Sequence, residues 1–198
     1  MPTTDLTKEI SAAFVTTQSD HRYMPDGRLE SILTDTAVES CVRACGLEGP
    51  WADDCIQAVK AGGRKILMIL IWLRRVELLR KFVGQGRAED AQLPFEETQL
   101  GKILDGDVEA AQKFYDLQWS AIPALFAQDF THRTYHQKTI LPFLGKEESL
   151  GEGGFGQVSI VTLAGSQHQF HNLFQAPVRR VLGSVRLIGI VRAGLTLS

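Results

Sequence analysis

The chain has 198 residues, of which 44% are hydrophobic and 22% charged, and its formal net charge is -2. That length holds one ordinary domain, or one domain and part of another, and a composition near the globular average excludes collagen, coiled coil and wholesale disorder. With 21 Lys and Arg against 23 Asp and Glu and an isoelectric point near 6.2, no nucleic-acid-coating surface is expected.

Mean hydropathy is -0.05. The longest apolar run, Ile66 to Leu73, sits between Arg64-Lys65 and Arg74-Arg75 and is too short to span a bilayer, which takes about 20 residues. Met1-Pro2-Thr3-Thr4-Asp5 offers neither a basic nor an apolar leader region, so no secretory signal is read. Three cysteines are too few for a disulfide framework. The expectation is a soluble cytoplasmic chain without a membrane partner.

Residues 1 to about 50 read as a loosely ordered start followed by helix, with Val38, Cys41, Val42 and Cys45 at helical spacing within Ala37 to Leu47. Gly49-Pro50 breaks the chain. The next helix, Asp54 to about Ala61, has Asp53 and Asp54 near its positive end and Gly62-Gly63 as its stop. A long helix is predicted from Arg64 to about Val83. Ile66, Ile69, Leu70, Leu73, Val76 and Leu79 recur at three- and four-residue steps, and its first half is apolar nearly all round, as a central core helix would be. Arg74, Arg75, Arg80 and Lys81 read as its solvated side.

Gly84 and Gly86 close that helix, and Leu93-Pro94-Phe95 reads as a connector. Asp107 to about Ala127 gives a further helix or helix pair, kinked or divided at Pro123. Thr139 to Leu144 is extended in character, and Val158 to Leu163 is a β-branched strand. Trp51, Trp72 and Trp119 read as core.

The sharpest motif is Leu150-Gly151-Glu152-Gly153-Gly154-Phe155-Gly156-Gln157-Val158, which fits G-x-G-x-x-G-x-V without a mismatch. Backbone N–H groups can approach phosphates closely only where no Cβ intervenes, which is what the glycines supply. A dinucleotide fold needs the glycines to open a helix, whereas here they run into a strand. A Walker A loop needs Gly-Lys-Ser/Thr at its end, and Gly156 is followed by Gln157. Strand, glycine loop, strand is the order of a protein kinase N-lobe; a glycine-rich hairpin without a ligand is the plainer alternative.

Together with Ile140-Leu141-Pro142-Phe143-Leu144 upstream and His168-Gln169-Phe170-His171 downstream, this loop resembles a protein-kinase-like family of filamentous fungi. In that family a helical N-terminal region leads into the start of a kinase domain. Lys65-Ile66-Leu67, Leu93-Pro94-Phe95, and Phe114-Tyr115-x-x-Gln118-Trp119 with Pro123 and Phe126 are similar to its helical region. The resemblance implies a mainly α chain with three parts. They are a helical accessory domain over 1–138, the first strands of an incomplete N-lobe over 139–171, and a divergent tail over 172–198. It further implies ATP as ligand, with Leu150, Gly151, Gly153, Gly154, Phe155, Gly156 and Val158 forming the phosphate lid and nucleotide edge. Serine/threonine kinase activity and Mg²⁺ would belong to a complete kinase only.

The rest of a kinase site is missing from these residues. No lysine follows Lys146, no aspartate follows Asp129 and no glutamate follows Glu152. The third-strand lysine, the catalytic base and the metal-binding aspartate therefore have no candidates. The chain as written is expected to be inactive, with no catalytic residue to name. From 151 onward Glu152 is the only acid, and Arg179, Arg180, Arg186 and Arg192 are the only Lys or Arg residues. This break suggests a shifted frame, a retained intron or an early stop near His171, or else a genuine short β-rich tail. A rival reading from another class is a non-enzymatic helical module that binds a protein partner.

Cys41 with Cys45 and His132 with His136 are four apart, as metal ligands on one helix face could be. Structural zinc sites use a tighter spacing with a matched second pair. The cysteines read as small apolar core residues, and no metal site is assigned.

Overall fold

Ile66 to Ile71 are six consecutive buried residues, and the helical part of the chain is assembled around them. The structure, a computed structural model, describes residues 2–127, 133–153, 156–169 and 185–191. Over these the chain is mainly helical and divides into two compact units. The first comprises 1–15 and 23–122, the second 16–22 and 123–198. No helix among the described residues is long and apolar enough to cross a membrane.

The first unit begins with α1 (Pro2–Ala13), not with a loosely ordered start: Leu6, Ile10 and Phe14 are buried at four-residue steps, and Phe14 meets Trp72 with ring centroids 4.3 Å apart. After the short strands β1 (Val15–Thr16) and β2 (Arg22–Tyr23) come α2 (Arg28–Ile32) and α3 (Asp35–Ala44). Thr34 caps α3 by accepting from the Ala37 N–H. Helix α4 (Pro50–Gly62) starts four residues earlier than the acidic pair suggests. Pro50 occupies its first turn, where a missing N–H costs nothing. Trp51 is 54% exposed, so it is a surface residue and not core.

The long helix read from Arg64 to Val83 is broken. Helix α5 (Arg64–Leu73) ends at Arg74, whose backbone is left-handed (φ 57°, ψ 35°), and the Arg75 N–H reaches back to the Leu70 carbonyl at 2.9 Å. This six-to-one bond satisfies a carbonyl that the helix end would otherwise orphan. A 3₁₀ turn over Val76–Leu78 and α6 (Leu79–Gly84) then follow as separate elements. Apolar spacing runs through the break because Val76, Leu78, Leu79 and Phe82 are all buried.

The N-terminus of α5 is capped from a distance. Gly63 offers it no side chain, and the Asp90 carboxylate accepts from the N–H groups of Lys65 (2.9 Å) and Ile66 (3.1 Å). Burial pushes the Asp90 carboxyl above its usual range, against those two hydrogen bonds, which pull it down. Helix α7 (Glu97–Ile103) follows, with the Gln99 side chain accepting from the Glu96 N–H. Helix α8 (Val108–Ala121) is capped by Asp107 and packs on α5 and α7. It stops at Ala121, short of the Ala127 limit read from sequence, because Pro123 disfavours helical backbone at Ile122.

In the second unit, β3 (Phe143–Gly153), β4 (Gly156–Leu163) and β5 (Val185–Val191) form an antiparallel sheet in that order. Its satellite core includes Phe126, whose ring lies 6.1 Å from Phe143 and 6.2 Å from Tyr135. Leu163 and Ala164 are buried.

Candidate functional site

The glycine-rich segment is the bend of a β-hairpin. Gly153 pairs with Gly156, Glu152 with Gln157, and Gly151 with Val158. Leu150 is the extra residue of a bulge between the Ser149–Ser159 and Gly151–Val158 pairs. A second irregularity lies between Leu144 and Glu148, where Gly145 takes φ +70°. Of the seven candidate residues, Leu150, Gly151 and Gly153 therefore end β3, and Gly156 and Val158 open β4. Gly154 and Phe155 lie outside the described residues. Two glycines facing one another across the last pair leave that end of the ladder without Cβ atoms, as close backbone approach to a ligand requires. Bulges of this kind increase local twist and re-aim the strand near its end.

Strand β4 is paired on both edges. Its partner β5 runs from the Leu163–Val185 pair to the Gln157–Val191 pair, with Ile160 opposite Ile188. The stretch Val185 to Val191 thus exists as a strand beside the glycine hairpin, and within it Arg186 is the sole charged residue, opposite Thr162.

The motif pieces upstream converge for a structural reason. The Leu93–Pro94 peptide is cis. The next residue, Phe95, is bound on both backbone groups by the fully buried Gln118: its N–H donates to Gln118 Oε1 at 2.8 Å, and its carbonyl accepts from Nε2 at 2.9 Å. Phe82 and Phe114 lie 5.1 Å apart, and Phe95 lies 5.9 Å from Phe82 and 6.3 Å from Phe114. These residues build the helical core and do not form a reactive cluster. In the second unit His168 is buried and bridges Phe126, whose N–H donates to the Gln167 carbonyl and whose carbonyl accepts from the Gln169 N–H. His171 lies outside the described residues.

The cysteines are thiols in their surroundings. Cys41 and Cys55 are buried and Cys45 half-buried. Burial pushes the Cys41 thiol up to about 12 and that of Cys55 to about 11, and burial raises Cys45 as well. His132 lies outside the described residues, so its pairing with His136 is not described. Among the described residues no group of three or more His, Cys, Asp or Glu is placed to hold a metal.

One cleft in the helical unit carries signals that the sequence reading passed over. Its volume is about 420 Å³. Thr7 and Lys8 of α1 form one wall and Cys45, at the end of α3, another. Ile71 and Arg74 of α5 complete it with Val76 and Glu77 of the 3₁₀ turn. Of the four cations read as one solvated face, Arg74 and Arg80 are exposed, whereas Arg75 and Lys81 are half-buried and engaged. Arg75 binds Glu77 at 2.5 Å and Asp107 at 3.1 Å, and Lys81 donates to the Leu104 carbonyl and pairs with Asp105. No protein-family model, curated protein or solved structure matches this chain.

Proposed function

We propose that this chain is a protein-kinase-like protein whose glycine hairpin holds the phosphates of ATP and which, within these 198 residues, transfers no phosphoryl group. The observation that carries the reading is the Gly153–Gly156 pair closing a hairpin that continues as a strand, joined to the G-x-G-x-x-G-x-V sequence. The antiparallel strand beside β4 supports it further, since a third strand follows the glycine hairpin in a kinase N-lobe. That strand has no lysine to hold the α- and β-phosphates, and no aspartate follows to bind Mg²⁺ or to accept the substrate proton. Losing one electrostatic stabiliser costs a reaction about 10²–10³ in rate, and here all of them are missing together. Nucleotide affinity of these 198 residues should be weak, because the glycine hairpin offers contacts to the phosphates alone.

The test is a titration of the full chain with Mg-ATP, followed by thermal melting and phosphorus NMR. Millimolar nucleotide should raise Tm and broaden the phosphate signals, and replacing Gly153 and Gly156 by valine should abolish both effects. No ADP should accumulate. A chain whose Tm and spectra ignore millimolar ATP overturns the nucleotide hairpin. The helical partner-binding module would then stand, a reading supported by the separate core of the first unit.

A further inference from the structure

The cleft between α1, the end of α3 and the α5 terminus has an unequal charge balance. Lys8 and Arg74 are exposed at it, and among the described residues neither forms an ion pair. Glu77 is the one acid in its lining, and its charge is answered by Arg75 at 2.5 Å. Two of the carbonyls in the last turn of α5, which would repel an anion, are occupied: Leu70 accepts from the Arg75 N–H and Ile71 from the Arg74 N–H. Ile71 and Val76 supply an apolar surface, and burial raises the Cys45 thiol above its usual range, against the hydrogen bond with Cys41 that lowers it.

Arg74 also sits at φ 57°, a left-handed conformation that glycine adopts at no steric cost and arginine does not. Strain of this kind is held where the surrounding structure over-determines it, often beside a ligand. Packing gives no reason for a long cation at this corner, since the side chain is exposed.

We propose that this cleft binds a small organic anion, its acidic group drawn by Lys8 and Arg74 and its apolar body laid on Ile71 and Val76. The site lies wholly within the helical unit and is independent of the glycine hairpin. A cleft of this volume falls in the usual range for small-molecule pockets, roughly 300–1,000 Å³.

Anilinonaphthalene sulfonate is a suitable probe: an aromatic body with one fixed negative charge, fluorescent when shielded from water. The folded chain should bind it saturably at one site, and Arg74→Gly and Lys8→Gln should each weaken binding about tenfold, the loss expected for one charge-assisted contact. Arg74→Gly keeps the left-handed backbone, so its Tm should match or exceed that of the parent, which separates lost binding from lost fold. Phenylnaphthylamine, the uncharged counterpart, should bind at least as weakly as the sulfonate does to the variants. Absence of a saturable signal overturns the proposal. So does parental affinity in both variants, or equal uptake of the uncharged dye.

Discussion

The Gln118 side chain forms a closed two-bond ring with the backbone of Phe95, donating from Nε2 to the carbonyl at 2.9 Å and accepting from the N–H at 2.8 Å. Gln118 is fully buried and Phe95 nearly so, so no water stands ready to replace either bond. Replacing Gln118 by leucine keeps the volume but orphans a buried donor and a buried acceptor, at about 1–3 kcal/mol each. Urea unfolding should therefore show a loss of at least about 2 kcal/mol in Gln118→Leu. A loss near zero would mean that the loop before α7 contributes little to the fold.

Gly63 is needed for space. A Cβ there would collide with the Ala88 carbonyl oxygen and crowd the Ala58 carbonyl at 3.3 Å. Both neighbours are backbone, so neither side can yield by turning a rotamer. Gly63→Ala should cost about 1–3 kcal/mol, the usual range for overpacking. Gly62→Ala, where φ is +146° and nothing lies within 4 Å of the added carbon, should be strained through its backbone alone.

Tyr23 is completely buried, and among the described residues its hydroxyl has no hydrogen-bond partner. Burial pushes its pKa from 10.0 up to about 12. A raised folded-state value means that the neutral phenol is favoured by folding. Its contribution is fully present below pH 10 and is lost as pH rises through the window to about 12. Tyr23→Phe should therefore be neutral or stabilising at pH 7 and should flatten the alkaline fall in stability. A substantial loss of Tm at neutral pH would show that the hydroxyl is bonded after all.

Asp107 gives the opposite sign. Its carboxylate accepts from the Ala110 N–H at the start of α8 and binds Arg75, and both hold its pKa below the usual carboxylate range. The stabilisation is present above the unfolded-state value and is lost as pH falls through the lowered folded one. Asp107→Asn should make the acid limb of the stability curve shallower while the neutral-pH helix content, read by circular dichroism, changes little.

Much of the helical unit was legible in the sequence because apolar spacing and capping residues agree, as at the apolar stretch that became α5 and at Asp107. The break at Arg74 was hidden because its signal is a backbone angle on a residue that ordinarily favours helix, flanked by apolar residues buried on both sides of the bend. Asp90 capping α5 and Gln118 holding Phe95 were equally hidden, since each joins positions distant in sequence. Trp51 misled through its size alone. In the glycine segment the strand–bend–strand order could be read locally, because glycine spacing and β-branched residues lie within one hairpin. The cleft at Lys8 and Arg74 could not, because three separated helices bring its walls together.

The division of the chain has a consequence for the order in which it is made. Residues 16–22 belong to the unit that otherwise begins at Pro123, and the Gln18 N–H donates to the carbonyl of Phe143 at 2.9 Å. On the ribosome this short segment emerges early, and its partner Phe143 is synthesised only after all the helices of the first unit. Domains generally fold as units from the N-terminal end during synthesis, so the helical unit must close with a foreign loop left hanging out between α1 and α2. A single proteolytic cut at the 122–123 junction would strand that loop with the wrong half.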